Sequence, residues 1–73
     1  MNRYAVVIEQ GPDGYGAYVP DLPGCAAAAD TEAEVRRLIE EAIDFHIEGL
    51  RLSGEQVPEA TSTVDYVETT AGR

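Results

Sequence analysis

The 73-residue chain has few of the residues from which active sites and covalent cross-links are built. It contains one cysteine, one histidine, one methionine, one phenylalanine and no tryptophan. One cysteine excludes a disulfide within the chain, and one cysteine with one histidine cannot build a usual zinc site in a single chain. No apolar run approaches the roughly 20 residues of a membrane span, and the N-terminus lacks a signal-peptide pattern. We therefore expect a cytoplasmic protein with no metal, no cofactor and no membrane segment.

Basic residues are also scarce. Five Lys and Arg residues stand against 14 Asp and Glu residues, which gives a net charge of -9. Because nucleic-acid affinity depends on neutralising phosphates, a chain this acidic is a poor autonomous binder of DNA or RNA. The same charge would attract a basic protein surface, or it would serve solubility alone. Composition leaves both interpretations open.

The length and the hydrophobic content of the chain limit the architectures that it can form. A hydrophobic content of 44% is typical of a folded chain. Seventy-three residues make at most one domain, and a core of this size is marginal by itself. We expect residues 1–68 to form that domain, residues 69–73 to be a short tail, and the protein to be a homo-oligomer, a dimer or larger.

The first 29 residues indicate strands and tight turns. Apolar and β-branched residues predict strands at Arg3–Glu9 and Tyr15–Val19. The turn formers Pro12–Gly14 between them predict an antiparallel hairpin. A second turn at Asp21–Gly24 leads into Cys25–Ala29. Helix propensity alone would make this alanine-rich run helical, but its position just before a helix start favours a third strand.

A long helix is predicted from Thr31 to Ser53. Thr31 and Glu34 have the spacing of a capping box, and Gly54 is the expected left-handed residue after the helix. Apolar residues recur at helical spacing along one face. They are Val35, Leu38, Ile39, Ala42, Ile43, His46 and Leu50. The opposite face carries Glu40, Asp44 and Glu48 and is predicted to be a solvated acidic stripe.

A fourth, partly exposed strand is predicted at Ser62–Glu68, where Thr63, Asp65 and Val67 alternate with Val64, Tyr66 and Glu68. The element order is then β-β-β-α-β. The sequence thus predicts the α+β class, with a three-stranded antiparallel sheet, one long helix packed across one face, and a fourth strand.

Catalytic chemistry has little support in the sequence. His46 lies in the apolar stripe of the helix with no nucleophile or carboxylate fixed beside it, so we predict a largely buried, non-catalytic side chain. No His or Lys is placed to lower the pKa of Cys25, so a small buried residue is favoured over a nucleophile. We expect the protein not to be an enzyme.

An ordered set of motifs resembles the HicB-like antitoxin domain. The set comprises Tyr-Gly-Ala-Tyr-Val-Pro-Asp-Leu-Pro-Gly-Cys at 15–25, Asp30-Thr31, Glu-Glu-Ala-Ile at 40–43, His46, Gly54 and Val57-Pro58. The resemblance runs from about Tyr4 to Pro58. One departure is the run Ala26–Ala29, since a glycine is common in the family shortly before the Asp-Thr pair.

The resemblance implies a partial ribonuclease H-like fold and a partner. In the two-component systems, a HicB-like antitoxin neutralises a small basic HicA-like toxin that cleaves messenger RNA, and it does so by covering the toxin surface. Full-length members usually carry a C-terminal DNA-binding domain. This sequence leaves no room for one after its fourth strand, so we expect a stand-alone short member without direct nucleic-acid binding.

Two functions are therefore carried forward. The first is a protein-binding antitoxin module that neutralises a basic HicA-like toxin by covering its RNA-binding surface. The second is a solitary oligomeric HicB-like domain with no toxin partner. For the first, the predicted partner-binding residues are Tyr18, Asp21, Leu22, Pro23 and Gly24, because proline and glycine fix the turn with little ordering cost on binding.

Overall fold

The computed structural model describes residues 3–71 and places a three-stranded sheet against one helix. The strands are β1 (Val7–Gly11), β2 (Gly14–Tyr18) and β3 (Ala26–Ala29), and the helix is α1 (Glu32–Leu52). The sheet order is β1-β2-β3, and both neighbouring pairs are antiparallel. The predicted α+β class, the third strand and the long helix are confirmed.

The β1–β2 hairpin closes over Pro12 and Asp13, as predicted. Its register pairs Gly11 with Gly14 and Ile8 with Ala17. Gly14 has a φ of +154°, and a Cβ there would lie 2.7 Å from the carbonyl oxygen of Ala29. Glycine is therefore required at the hairpin end, where the backbone of the third strand approaches most closely.

Strand β1 begins later than the sequence predicted. The ladder starts at Val7, whereas the prediction began at Arg3. The residues before Val7 run alongside the C-terminal segment instead: the Tyr4 hydroxyl donates a hydrogen bond to the carbonyl of Pro58. The apolar side chains of this stretch, Tyr4 and Val6, pack against the core although no strand forms there.

Both ends of α1 are capped as the sequence predicted. The Thr31 side chain accepts a hydrogen bond from the Glu34 amide at 3.1 Å. At the other end Gly54 has a φ of +74°, its amide donates to Arg51, and the Glu55 amide donates to Leu50. This pair of bonds is a Schellman motif, which satisfies carbonyls that the helix end leaves free.

The core lies between one face of the sheet and α1. Six residues form it: Ala17, Val19, Leu22, Cys25, Val35 and Ile39. Alternation along β2 turns Ala17 and Val19 toward the helix and Tyr18 toward the opposite face. Two helical residues four apart, Val35 and Ile39, cover this apolar face.

The predicted fourth strand does not form in the described chain. Residues 62–68 have no strand partner, and Tyr66 and Val67 are 91% and 84% exposed. Alternating side chains alone cannot make a strand, because a strand also needs an edge that supplies hydrogen bonds. The segment instead takes an irregular path along the surface, and most of its residues are exposed. Of the predicted tail at 69–73, the last two residues lie outside the described range.

Across residues 3–71, α1 is too polar to serve as a transmembrane helix.

Candidate partner-binding surface

The turn between β2 and β3 holds one predicted binding residue in the core. The Leu22 amide donates to the Val19 carbonyl at 3.1 Å, and the Cys25 amide donates to the Leu22 carbonyl at 3.0 Å. These two tight turns fold Leu22 inward, where its side chain is fully buried. Leu22 therefore anchors the turn to its own core, and its predicted contact with a partner stays a prediction.

Asp21 is engaged within the chain. Its carboxylate accepts hydrogen bonds from the amides of Thr61 and Ser62 at 2.9 and 2.8 Å. It also accepts bonds from the hydroxyls of the same two residues at 3.3 and 2.8 Å. We call this set of four bonds the Asp21 clasp. It ties the C-terminal segment to the turn and leaves the carboxylate little capacity for a partner.

The clasp changes the acidity of Asp21. Hydrogen bonds from the Ser62 amide and hydroxyl, and then from Thr61, hold the pKa of this carboxyl below its ordinary value of 3.8, although partial desolvation opposes them. Such bonds favour the charged form because they all donate to it. Asp21 is therefore ionised at neutral pH and serves as an acceptor that positions the segment from Thr61 onward.

The remaining turn residues face solvent. Tyr18 is 44% exposed and points away from α1, while Pro23 and Gly24 are exposed. Of the five predicted binding residues, then, three are accessible, one is buried and one is committed to the clasp. The accessible part of the turn is a smaller surface than the sequence suggested.

The two residues considered for chemistry lie in ordinary surroundings. Cys25 is buried, as predicted, and desolvation raises the pKa of its thiol, so it is a poor nucleophile. His46 is largely buried, as predicted, although less completely than Cys25. The 21-residue helix is about 31 Å long, whereas the sheet strands it covers are far shorter, so its C-terminal half is less covered. Among residues 3–71 no cluster of metal-binding side chains occurs.

The solvent face of α1 carries unpaired negative charge. Glu40, Asp44 and Glu48 are all exposed and lie four residues apart, hence on one side of the helix. In the described chain the salt bridges are Arg36–Glu32 and Arg37–Glu41, at 3.3 and 3.1 Å. The three carboxylates, which we call the acidic stripe, are therefore free to meet an external cation.

A groove opens beside the acidic stripe, between α1 and β1. Its volume is about 470 Å³, and its apolar floor includes Ile8, Tyr15 and Ile39. Glu40 stands on its helical wall, and the exposed ring of Tyr66 lies at its edge. The Arg36–Glu32 salt bridge also lines this wall. The groove is therefore a mixed polar and apolar surface, on which Glu40 can bind a basic side chain whose apolar stem lies on the floor.

Comparison with known families assigns the chain. The family described as the HicB-like antitoxin of bacterial toxin-antitoxin systems matches residues 4–71, which is nearly the whole chain. This protein belongs to the HicB-like antitoxin family. The resemblance noted in the sequence is thereby confirmed over a longer range than the motifs alone covered.

Relatives of this HicB-like chain include two curated proteins. An uncharacterized 14.9 kDa protein from the rep-hol intergenic region of Haemophilus phage HP1 is 42% identical over 64 residues, which are 88% of this chain and 48% of the phage protein. A UPF0150 protein of Synechocystis is 40% identical over 57 residues, 77% of this chain and 72% of the relative. The chain thus spans about half the length of the phage protein.

A solved structure shares the fold. One chain of a HicA3 and HicB3 toxin-antitoxin complex superposes with a TM-score of 0.67 at 36% identity, over 75% of this chain and 64% of that chain. The partial ribonuclease H-like, HicB-like architecture expected from the sequence is consistent with this match.

Sequence reasoning missed the Asp21 clasp and the groove. The clasp joins residues 40 and 41 positions apart, and the only local signal was the run of hydroxyls at Thr61, Ser62 and Thr63. The groove depends on where α1 lies over the sheet, and helical spacing alone does not give that position.

Proposed function

We propose that this HicB-like chain is an antitoxin module that binds a basic HicA-like toxin and covers the toxin's RNA-binding surface. Family membership supports the role, and the matching complex supports a HicA-like partner. Cytoplasmic action follows from this role, because messenger RNA is the toxin's substrate.

The observation that carries the proposal is the acidic stripe. Three exposed carboxylates that have no ion-pair partner among residues 3–71, within a chain of net charge -9, present the kind of charge that an RNA-binding surface attracts. A protein surface that binds phosphates is basic, and complementary charge both speeds the encounter and selects the partner. The stripe therefore competes with RNA for the same surface.

The groove supplies the apolar part of the proposed interface. Charge pairs at an exposed rim contribute little affinity, whereas aromatic and apolar groups at the centre contribute most. Tyr66, at 91% exposed, provides the aromatic part of that centre next to Glu40, and the partly exposed Ile8 and Tyr15 provide its floor. We place the toxin over the groove and the stripe together.

The exposed part of the turn remains a second candidate contact. Tyr18 points to the sheet face opposite α1, so a toxin that covers the acidic stripe would not reach it directly. Tyr18→Glu should leave toxin inhibition unchanged if the stripe is the interface. Loss of inhibition in this variant, with the fold intact, would indicate that the toxin binds the turn.

Charge reversal tests the stripe directly. The triple variant Glu40→Lys, Asp44→Lys, Glu48→Lys should lose inhibition of RNA cleavage by a purified HicA-like toxin, because its stripe repels the basic surface. The matched control reverses Glu9, Asp13 and Asp30, which are also exposed but lie on β1, the hairpin turn and the loop before α1. It changes the net charge equally and should still inhibit.

Salt provides an independent readout. Inhibition by the wild type should weaken as ionic strength rises, since charge steering is screened over about 8 Å at physiological salt. Equal loss in both triple variants would mean that net charge alone matters and would remove the stripe from the proposal. A wild type that inhibits no HicA-like toxin would favour the solitary domain.

A further inference from the structure

The ring of Tyr66 stands at the β1 groove with little packing of its own. Its side chain is 91% exposed, although it lines the rim of the groove between α1 and β1. Across residues 63–71 the hydrogen bonds are local: the Tyr66 amide donates to the Asp65 carboxylate at 2.8 Å, and the Ala71 amide donates to the Thr69 hydroxyl at 3.0 Å. The position of the ring therefore depends on where the chain before it is attached.

The last hydrogen-bonded attachment before Tyr66 in the described chain is the Asp21 clasp. Its four bonds reach Thr61 and Ser62, and two of them hold backbone amides at 2.9 and 2.8 Å. Bonds to an ionised acceptor are stronger than bonds between neutral groups. Ser62 lies four residues before Tyr66, which is at most about 14 Å of extended chain. The clasp therefore limits where the ring can lie.

The turn that carries Asp21 is itself fixed to the core. The next residue, Leu22, has a fully buried side chain. Two backbone hydrogen bonds, from the Leu22 amide to Val19 and from the Cys25 amide to Leu22, close the turn on either side. The core thus holds the Asp21 carboxylate in place, and the carboxylate in turn holds the C-terminal segment.

From the clasp the segment passes along the residues that precede β1. Residues 3–6 and residues 60–64 line a common hollow. Val6 lines both this hollow and the β1 groove, so the two surfaces adjoin each other. A chain held at Ser62 is therefore directed along this hollow to the rim of the groove, where Tyr66 is found.

We propose that Asp21 is a positioning residue for the toxin-binding groove: through the clasp it holds the C-terminal segment so that Tyr66 stands at the rim beside Glu40. Asp21 itself makes no contact with the toxin and acts through Tyr66. This role rests on the proposed antitoxin function, in which Tyr66 belongs to the toxin interface. It gives the turn between β2 and β3 an indirect part in binding.

The length of unattached chain sets the size of the effect. With the clasp intact, Tyr66 lies four residues after its last attachment at Ser62. Without the clasp, it lies eight residues after Pro58, whose carbonyl accepts the hydrogen bond from Tyr4. The effective concentration of a tethered group falls roughly as the −3/2 power of the tether length, so doubling the tether lowers it about threefold. Asp21→Ala should therefore weaken toxin inhibition by about threefold.

A double-mutant cycle separates positioning from direct contact. In RNA cleavage by a purified HicA-like toxin, Tyr66→Ala should weaken inhibition at least as much as Asp21→Ala does, and Asp21→Ala should add nothing in the Tyr66→Ala background. Ser62→Ala removes one bond of the clasp and should fall between the wild type and Asp21→Ala. The control Glu59→Ala removes an exposed carboxylate from the same segment, outside the clasp, and should inhibit like the wild type. Circular dichroism checks that all variants are folded.

A measurement without toxin tests the position of residue 66 itself. A nitroxide is attached to the Tyr66→Cys variant, in which the native Cys25 is buried and stays unlabelled. The label should broaden the amide resonances of Gln10 and Glu40, which line the groove. Adding Asp21→Ala should reduce this broadening, whereas adding Glu59→Ala should leave it unchanged.

Broadening that survives Asp21→Ala would overturn the positioning role, whatever the toxin assay gives. Additive losses from Asp21→Ala and Tyr66→Ala would overturn it as well, because Asp21 would then contact the toxin directly. A wild type that inhibits no HicA-like toxin would instead remove the proposed function, and the nitroxide result would still decide whether the clasp holds residue 66. Should Asp21→Ala fail to fold, Ser62→Ala decides, and unchanged broadening and inhibition in that variant would contradict the proposal.

Discussion

Leu22 is a core residue carried by a turn. Its side chain is fully buried although it sits between Asp21 and Pro23, two residues typical of exposed loops. The two hydrogen-bonded turns around it fix its direction. A buried leucine in this position holds the turn onto the β2–α1 core and so sets where the C-terminal segment is attached.

Leu22→Ala is expected to destabilise the protein by about 2–5 kcal/mol, the usual cost of a leucine cavity in a packed core. Leu52→Ala removes the same atoms from a side chain that is 82% exposed and should change the free energy of unfolding by less than about 0.5 kcal/mol. Urea denaturation measures both. Similar values for the two variants would mean that the turn is not anchored by Leu22.

Asp21 gives the attachment of the C-terminal segment a pH dependence. The folded pKa of its carboxyl lies below the ordinary value of 3.8, so folding favours the charged form. The clasp is therefore complete above that ordinary value and is lost as pH falls through the lower folded pKa. At neutral pH it is fully formed.

The amide resonances of Thr61 and Ser62 report the clasp. Between about pH 6 and about pH 2 we expect both to shift together, with a midpoint below the ordinary pKa of an aspartate. Asp21→Asn does not titrate in this range and should show no such step at these amides. A midpoint at or above 3.8, or a step that persists in the asparagine variant, would contradict the clasp.

At the scale of elements, α1 is the best predicted part of the chain. Its start, its end and its apolar side depend on local rules: a threonine cap, a left-handed glycine and a spacing of three and four. These are properties of neighbouring residues, so the sequence contains them directly. One half of the expected capping box is seen, since the Glu34 amide bonds to Thr31.

Removing that cap should weaken the whole fold. Thr31→Ala is expected to cost about 1 kcal/mol, because the Glu34 amide at the helix start loses its acceptor. Thr31→Ser keeps an acceptor oxygen and should be close to wild type. Thermal unfolding followed by circular dichroism measures both variants. Equal loss of stability in serine and alanine variants would assign the effect to the methyl group instead.

The strands were less predictable than the helix, for physical reasons. The hairpin and β3 follow from turn chemistry and position, but the start of β1 and the fate of residues 62–68 depend on which edges are available. Tyr4 bonds to Pro58 and Asp21 to Ser62, so long-range contacts determine the path of both chain ends. Alternating side chains do not encode these contacts.

For the whole molecule, charge and apolar surface are separated. The acidic stripe follows the solvent face of α1 and adjoins the β1 groove at Glu40, and an apolar groove between α1 and β3 lies on the other side of the helix. The sequence predicted self-association from the size of the chain, and the family resemblance implied a basic partner. It did not indicate the positions of the two grooves, because these arise from how the helix lies on the sheet.

Only the acidic character of the proposed interface was predictable from the sequence. The excess of carboxylates was visible in the sequence, whereas the specific residues expected to bind, centred on Leu22 and Asp21, are engaged within the fold. A turn with prolines, an aspartate and a leucine has the composition of a binding loop. A turn that packs against its own core can have the same composition.

The most direct test of the central claim is competition between RNA and this chain for one toxin surface. A HicA-like toxin variant that binds RNA without cleaving it is bound to fluorescently labelled RNA, and the chain is added while anisotropy is recorded. We expect the wild type to displace the RNA at about one chain per toxin and the Glu40, Asp44, Glu48 triple lysine variant to displace none. A stable ternary complex of toxin, RNA and chain would contradict the account, because the antitoxin would then bind elsewhere on the toxin.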